Sequence, residues 1–344
     1  MAEAFFGLSE DDRREVLEIA RERTGRPAHL LEKDAWVVWS LGALFDHGPV
    51  AQDLTFKGGT SLSKAYHLID RFSEDIDLTV DIRKLIPELV AHDKVLPSSR
   101  SQAAKWTSAV REELPRWIEA HVRPWLTQRL EAAGLSAELR VGGREGEQLL
   151  IRYGSLSQGS GYVAPVVTLE FGGRATGEPH ERVTVECDMA GHVEGVSFPT
   201  ATPQVMTVAR TFWEKATAAH VFCAQARLRG ERYARHWHDL VAIARSQHID
   251  TVVAAREVAQ AVATHKACFF IEKDAAGAVI DYAVATAGGL QIVPSGACRE
   301  ALARDYDAMV TDGLMVGNAL GFDELMQACE VLQARVNSPH DAGR

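Results

Sequence analysis

The stretch FKGGTSLSKAYHLIDRFSEDIDLTV, residues 56–80, constrains this chain more than any other. It holds two adjacent glycines, then Leu62, Ala65, Tyr66 and Ile69 at helical spacing, which predicts a helix over 60–70. It ends in alternation. Ile76, Leu78 and Val80 share one face of a predicted strand, and Asp75 and Asp77 share the other, because side chains two apart in a strand project the same way. Asp is depleted in strands, so two on one face call for a compensating charge. A divalent cation supplies one: Mg2+ takes hard oxygen ligands, commonly one or two carboxylates together with substrate phosphates. The competing reading is an edge strand with an acidic solvent face, and three-residue Asp-x-Asp matches are frequent by chance.

The glycines shift that balance. Gly58 and Gly59 directly precede the predicted helix. Glycine lets the backbone approach a ligand closely, and a helix N-terminus favours phosphate. Thr60 and Ser61 add hydroxyl donors at the same place. A phosphate-binding turn and a metal-binding strand joined by one helix make a coherent nucleotide site. Lys57, Lys64 and Arg71 border this motif, and Ser73 reads as a turn residue ahead of the strand.

The rest of the chain supplies a frame for it. Ser9 caps a first predicted helix that Gly25 ends, and Pro27 opens a second over 27–45. The second is apolar along most of its length but is interrupted by Glu32, Lys33 and Asp34. A long helical stretch is predicted over 101–133. AELRV, QLLIRYGSL, APVVTLEFGG and ERVTVECDMA then read as strands separated by glycine-rich turns. From about residue 207 the pattern is helical to the end, apart from a hairpin expected around GGLQIVP. The fold class expected is α+β: a mixed-sheet catalytic lobe over 1–205, with N-terminal helices and a helical insertion, and a helical lobe over 206–344.

Composition narrows the partners. A net charge of −10 over 344 residues argues against a general nucleic-acid coat, though not against a local basic path. Arg227, Arg229, Arg232 and Arg235 offer such a path, or simply a solvated helix face. Five scattered cysteines without a CxxC pair, no basic-then-apolar leader and no membrane-length apolar run lead us to expect a cytoplasmic protein with no membrane partner. His236 and His238 do not make a zinc site, since residues two apart on a helix point away from each other.

The glycine turn, helix and Asp-x-Asp strand resemble the signature of the nucleotidyltransferase superfamily, the DNA polymerase β-like fold. FKGGTSLSKAY…RFSEDIDL is similar to the first motif of one branch, the AbiEii/AbiGii toxin family. The likeness continues in LLEKDAWVVWSL, in FWEKATAAH…ARHWHDL and in the C-terminal GFDELMQACEVLQARVN. The resemblance implies a nucleotidyltransferase, the toxin half of a bacterial type IV toxin–antitoxin or abortive-infection system, with an antitoxin encoded nearby. It implies NTP as co-substrate, Mg2+ or Mn2+ as cofactor and a tRNA 3′ end as acceptor. A small molecule of the aminoglycoside kind or a protein side chain remains open as acceptor, as does a degenerate, non-enzymatic binding module.

The resemblance also implies further site residues. A third carboxylate from a neighbouring strand is common in this fold. Glu170 is chosen because Thr168, Glu170 and Gly172 share one strand face, with Asp188 as competitor and Glu186 behind it. Lys215 matches a lysine that would contact nucleotide phosphates; its alternative is an ordinary surface lysine paired with Glu214 or another carboxylate. Asp239 matches a late aspartate that would act as a base on an acceptor hydroxyl or orient Lys215; its alternative is a surface acid paired with Arg235. The expected assignment is therefore catalytic Asp75, Asp77, Lys215 and Asp239, metal-binding Asp75, Asp77 and Glu170, and nucleotide-binding Gly58, Gly59, Thr60, Ser61 and Lys215.

Overall fold

In a computed structural model the chain is described over residues 2–46, 48–71, 75–91, 94–157, 164–227, 232–311 and 319–338. Ser73 and Arg229 lie outside these residues. The chain divides into two compact units. One comprises Met1–Ala65, Glu74–Val95 and Lys105–Met206; the other comprises Tyr66–Ser73, Leu96–Ala104 and Thr207–Arg344.

The first unit is built on a seven-stranded mixed sheet. Its strands lie in the order Ala137–Gly142, Gln148–Tyr153, Val166–Ala175, Asp75–Asp81, Leu54–Lys57, Gln204–Met206, His180–Arg182. The pairing of Asp75–Asp81 with Val166–Ala175 is parallel, and its pairing with Leu54–Lys57 is antiparallel. Register places Ile76 beside Leu169, Leu78 between Phe56 and Phe171, and Val80 beside Leu54. All of these are buried, so alternate residues of three strands form one apolar layer. Each such side chain contributes about 1.5–3 kcal/mol on leaving water, which fixes the pleat and turns Asp75 and Asp77 to the other face.

The flanking helices follow from their caps and their apolar stripes. In Glu10–Thr24 the Ser9 hydroxyl accepts the Asp12 N–H at 3.2 Å, and Gly25 in the left-handed conformation ends the helix. Ala28–Phe45 is buried on nearly every side, the three charged residues included. Arg100–Trp117 passes through a π-helical turn, Ile118–Val122, into Arg123–Ala132, as the continuous helical pattern predicts.

Two expectations are corrected in length. The helix after the glycines runs only Gly58–Lys64, and His67, with φ of 52°, cannot continue it. ERVTVECDMA yields only the short strands His180–Arg182 and Val185–Glu186.

The second unit is helical. Thr207 caps Val208–Gln225, whose Phe212, Trp213, Ala216 and Ala219 are wholly buried. Arg235–Ala244, Arg256–Phe269, Gly296–Thr311 and Phe322–Asn337 complete its longer helices among the described residues. The hairpin expected around GGLQIVP does not form. That segment satisfies its backbone through side chains: the N–H of Leu290 donates to Asn337, that of Gln291 to His220 and that of Ile292 to Gln333, while the Trp237 indole donates to the Ile292 carbonyl. No helix among the described residues is long and apolar enough to cross a membrane.

Candidate active site

The acidic face of the sheet is organised as a lateral row. Asp77 pairs with Lys57 on one neighbouring strand and with Glu170 on the other, and Glu170 pairs in turn with Gln148. Residues in register share a face, so a cation, two carboxylates and an amide stand side by side. Asp75, two residues before Asp77, joins them on that face, opposite Thr168. Both aspartates are half-buried. Desolvation, followed by the charges of Asp77 and Asp75, pushes the Glu170 carboxyl above its usual range, against a 3.5 Å hydrogen bond from Gln148 and the charge of Lys57. Glu170 therefore senses both aspartates through the field they share.

The glycine turn abuts this row. Gly58 has φ of +83°, and a Cβ built on it would lie 1.9 Å from the Asp77 Oδ2. The Asp77 carboxylate thus rests against the Gly58 α-carbon, a contact only glycine permits. Two hydroxyls tie the turn down. Thr60 donates to the Asp75 carbonyl, and Ser61 donates to the Gly58 carbonyl at 2.9 Å. Each hydroxyl has one proton to give, and here it goes to the main chain. Phosphate donors at this turn would then be backbone N–H groups, and Thr60 and Ser61 hold the turn in shape.

The two other acids considered as a third carboxylate lie in different surroundings. Asp188 accepts from Lys64 Nζ at 2.7 Å and pairs with Arg26. Glu186 pairs in register with Thr200 in a separate two-stranded sheet and is exposed. Of the three, Glu170 is the one in register with Asp77.

In the second unit, Lys215 and Asp239 are brought together. Lys215 Nζ lies 2.9 Å from Asp239 Oδ2, so Lys215 has a carboxylate partner, as its alternative reading also allows; Glu214 accepts from Arg210 at 3.1 Å. Asp239 is fully buried. Arg71 grips it with two hydrogen bonds, Nε to Oδ1 at 2.9 Å and Nη2 to Oδ2 at 2.8 Å, and His238 Nδ1 stands 3.1 Å from Oδ1. Burial opposes its ionisation, but Arg71 and Lys215 outweigh that and hold the carboxyl well below the usual carboxylate range. A carboxylate so stabilised is a weak base. Asp239 is thus a buried acid held by Arg71 and Lys215, and not an exposed acid on a helix surface.

The sequence hides the partners more than the principals. Lys57 only borders the motif in the sequence, yet strand register puts it directly beside Asp77. Gln148 carries no sequence signal at all. Nothing in the sequence links Arg71 to Asp239, which lies 168 residues away. In the basic run, the Arg235 guanidinium donates to the Arg232 carbonyl at 3.1 Å.

Residues 39–328 match the family model described as nucleotidyl transferase AbiEii toxin, type IV toxin–antitoxin system. No curated protein matches the chain by sequence. Among solved structures, JHP933 from Helicobacter pylori is similar at 13% identity and a TM-score of 0.43, with 90% of this chain and 91% of that one covered. MenT4, a nucleotidyltransferase toxin from Mycobacterium tuberculosis H37Rv, is similar at 17% identity and a TM-score of 0.41, covering 94% of this chain and 99% of that one. At those TM-scores neither likeness says anything about the chemistry of this chain. The family match spans most of the chain and includes the glycine turn, the acidic strand, Lys215 and Asp239, and on it the chain belongs to the AbiEii nucleotidyl transferase toxins of type IV toxin–antitoxin systems.

Proposed function

We propose that this nucleotidyltransferase moves NMP from an NTP to an acceptor hydroxyl at the Asp75–Asp77 face, with Mg2+ or Mn2+ as cofactor. The observation that carries the reading is the meeting of Gly58 with Asp77 in a row that continues to Glu170. A turn suited to phosphate touches a carboxylate suited to a hard cation.

Whether these residues suit a divalent ion can be asked of the donors themselves. Among the described residues, no group of three or more His, Cys, Asp or Glu is arranged to hold a metal ion. Mg2+ does not require one: it commonly takes one or two carboxylates and completes its shell with water and substrate phosphate. Asp75 and Asp77 would hold it, with Glu170 alongside. Bound there, the ion would supply charge stabilisation to the attacking and leaving oxygens.

The chain's own groups do the rest. Backbone N–H groups at Gly58 and Gly59 bind phosphate, and Lys57 offsets the acidic row. The Lys215 ammonium neutralises the triphosphate, and Asp239, itself gripped by Arg71, aims that ammonium. Pyrophosphate is the leaving group. The acceptor is a tRNA 3′ end, and a cognate antitoxin encoded nearby restrains the activity. The test is incubation with each labelled NTP, Mg2+ and total RNA. Label on tRNA is the expected result; label confined to protein or small molecules would sink the RNA acceptor, and no label with any NTP would sink the transfer itself.

A further inference from the structure

Glu32, Lys33 and Asp34 stand in the middle of Ala28–Phe45 at 2%, 2% and 4% exposure. Successive residues of a helix point in different directions, so three in a row cannot share one polar stripe. Buried charges are costly unless each finds partners. These do, and the partners are distant in sequence.

Glu32 accepts the Leu156 N–H at 3.0 Å and the hydroxyls of Ser155 and Ser157 at 3.1 and 3.2 Å. Lys33 donates to the Ala164 carbonyl at 3.1 Å. Ala164 comes two residues before the strand Val166–Ala175, which carries Glu170. Asp34 takes Lys64 Nζ at 2.6 Å on one oxygen and the Asp188 N–H at 2.6 Å on the other. Lys64 also reaches Asp188 at 2.7 Å, and Arg26 balances the remaining charge of Asp188. The two carboxylates keep the Lys64 ammonium above its ordinary range even though burial works against it.

Lys64 is the last residue of the helix that Gly58 opens. Seven residues are too few for a helix to hold its own position. This one is pinned near its start by Thr60 on the Asp75 carbonyl and at its end by Lys64 on Asp34 and Asp188.

We propose that Lys33 and Asp34 are positioning residues for nucleotidyl transfer: Asp34, through Lys64, sets the Gly58–Gly59 turn against Asp77, and Lys33, on the Ala164 carbonyl, sets the approach to the strand bearing Glu170. The role in transfer rests on the reading of that face as the nucleotide site. A buried ion pair is weak evidence for stability, since apolar replacements are often neutral or stabilising. Its consequence here is positional: Asp34 and Asp188 hold Lys64, the last residue of the helix that Gly58 opens.

The experiment compares wild type with Lys64→Met and Lys64→Arg, reading amide hydrogen exchange over 59–65 together with KM for NTP and kcat. Lys64→Met is expected to speed exchange in that helix about tenfold and to raise KM by about tenfold or more, with a smaller change in kcat. Lys64→Arg, which retains the charge, is expected to restore both. If Lys64→Met does not fold, Asp34→Asn keeps the side-chain shape and an acceptor for the Asp188 N–H, and the same two changes are expected of it. Unchanged exchange would overturn the proposal. So would faster exchange with KM and kcat of the wild type, which would make the network a fold-holding device only. Should wild type transfer no nucleotide, the nucleotide reading falls by itself, and the exchange result still decides whether Asp34 and Lys64 hold the turn.

Discussion

Asp77 and Gly58 make sense only as a pair. The carboxylate lies where a Cβ on residue 58 would be, and φ of +83° at that residue suits glycine. Gly58→Ala therefore meets two penalties: about 1–2 kcal/mol for the left-handed backbone, and displacement of the Asp77 carboxylate or of the turn. We expect urea denaturation to show a loss of about 2 kcal/mol or more and nucleotide transfer to disappear; wild-type values of both would mean the turn is elsewhere in solution. Asp77→Ala separates chemistry from folding. Asp77 is half-buried and flanked by Asp75 and Glu170, so its removal relieves like-charge repulsion as well as the pairing with Lys57. The expected result is loss of at least about a hundredfold in transfer with a melting temperature close to wild type. Retained activity would refute the assignment of this residue to the reaction.

At the scale of elements, Arg235–Ala244 shows how a helix carries charge into a core. Asp239 is satisfied by Arg71 and Lys215, whereas His236 has the opposite problem. Burial, and then the nearby Lys215 charge, push its pKa down to about 3, and its Nδ1 is buried without a partner among the described residues. In the unfolded chain a histidine titrates near 6.5. The unfolded state therefore binds the extra proton as pH falls below about 6.5, while the folded state does not until about pH 3. His236 thus costs stability progressively over that window, by up to about 1.4 kcal/mol per pH unit. His236→Phe removes this term. Chemical denaturation from about pH 7 to about pH 5 should show the variant losing less stability than wild type; parallel curves would mean that His236 takes up its proton while the chain is folded.

The same scale shows how much of the fold is legible in the sequence. Period-2 alternation locates the strands of the acidic face, since Ile76, Leu78, Val167, Leu169 and Phe171 are all buried on one side. Ser9 and Gly25 locate a helix to the residue. Local pattern fails where distant side chains decide the backbone. Leu290–Val293 looks like a strand, but Gln333 and Asn337 take its N–H groups. The helix predicted over 60–70 is too long because apolar spacing persists to Ile69 while His67 turns the chain. The site's principals carry motif residues and are visible in the sequence. The supports are ordinary charged residues in the sequence: within the first unit register sets Lys57 beside Asp77 and the fold sets Lys64 on Asp34, and within the second unit the fold sets Arg71 on Asp239.

For the molecule as a whole, the acidic balance shapes how any RNA can bind. A net charge of −10 repels a polyphosphate at long range, so the tRNA acceptor we propose would have to be held by a few local contacts. Each phosphate neutralised on a single strand contributes about −0.7 to the slope of log K against log salt. The run of Arg227, Arg229, Arg232 and Arg235, the last partly turned onto the main chain, offers about three such contacts. Fluorescence anisotropy with labelled tRNA across a KCl series should then give a slope near about −2, and Arg227→Ala should make it shallower by about 0.7. A slope steeper than about −5 would require a broad basic face. That would be incompatible with recognition confined to this run, and would move the acceptor-binding surface to residues that charge alone does not single out.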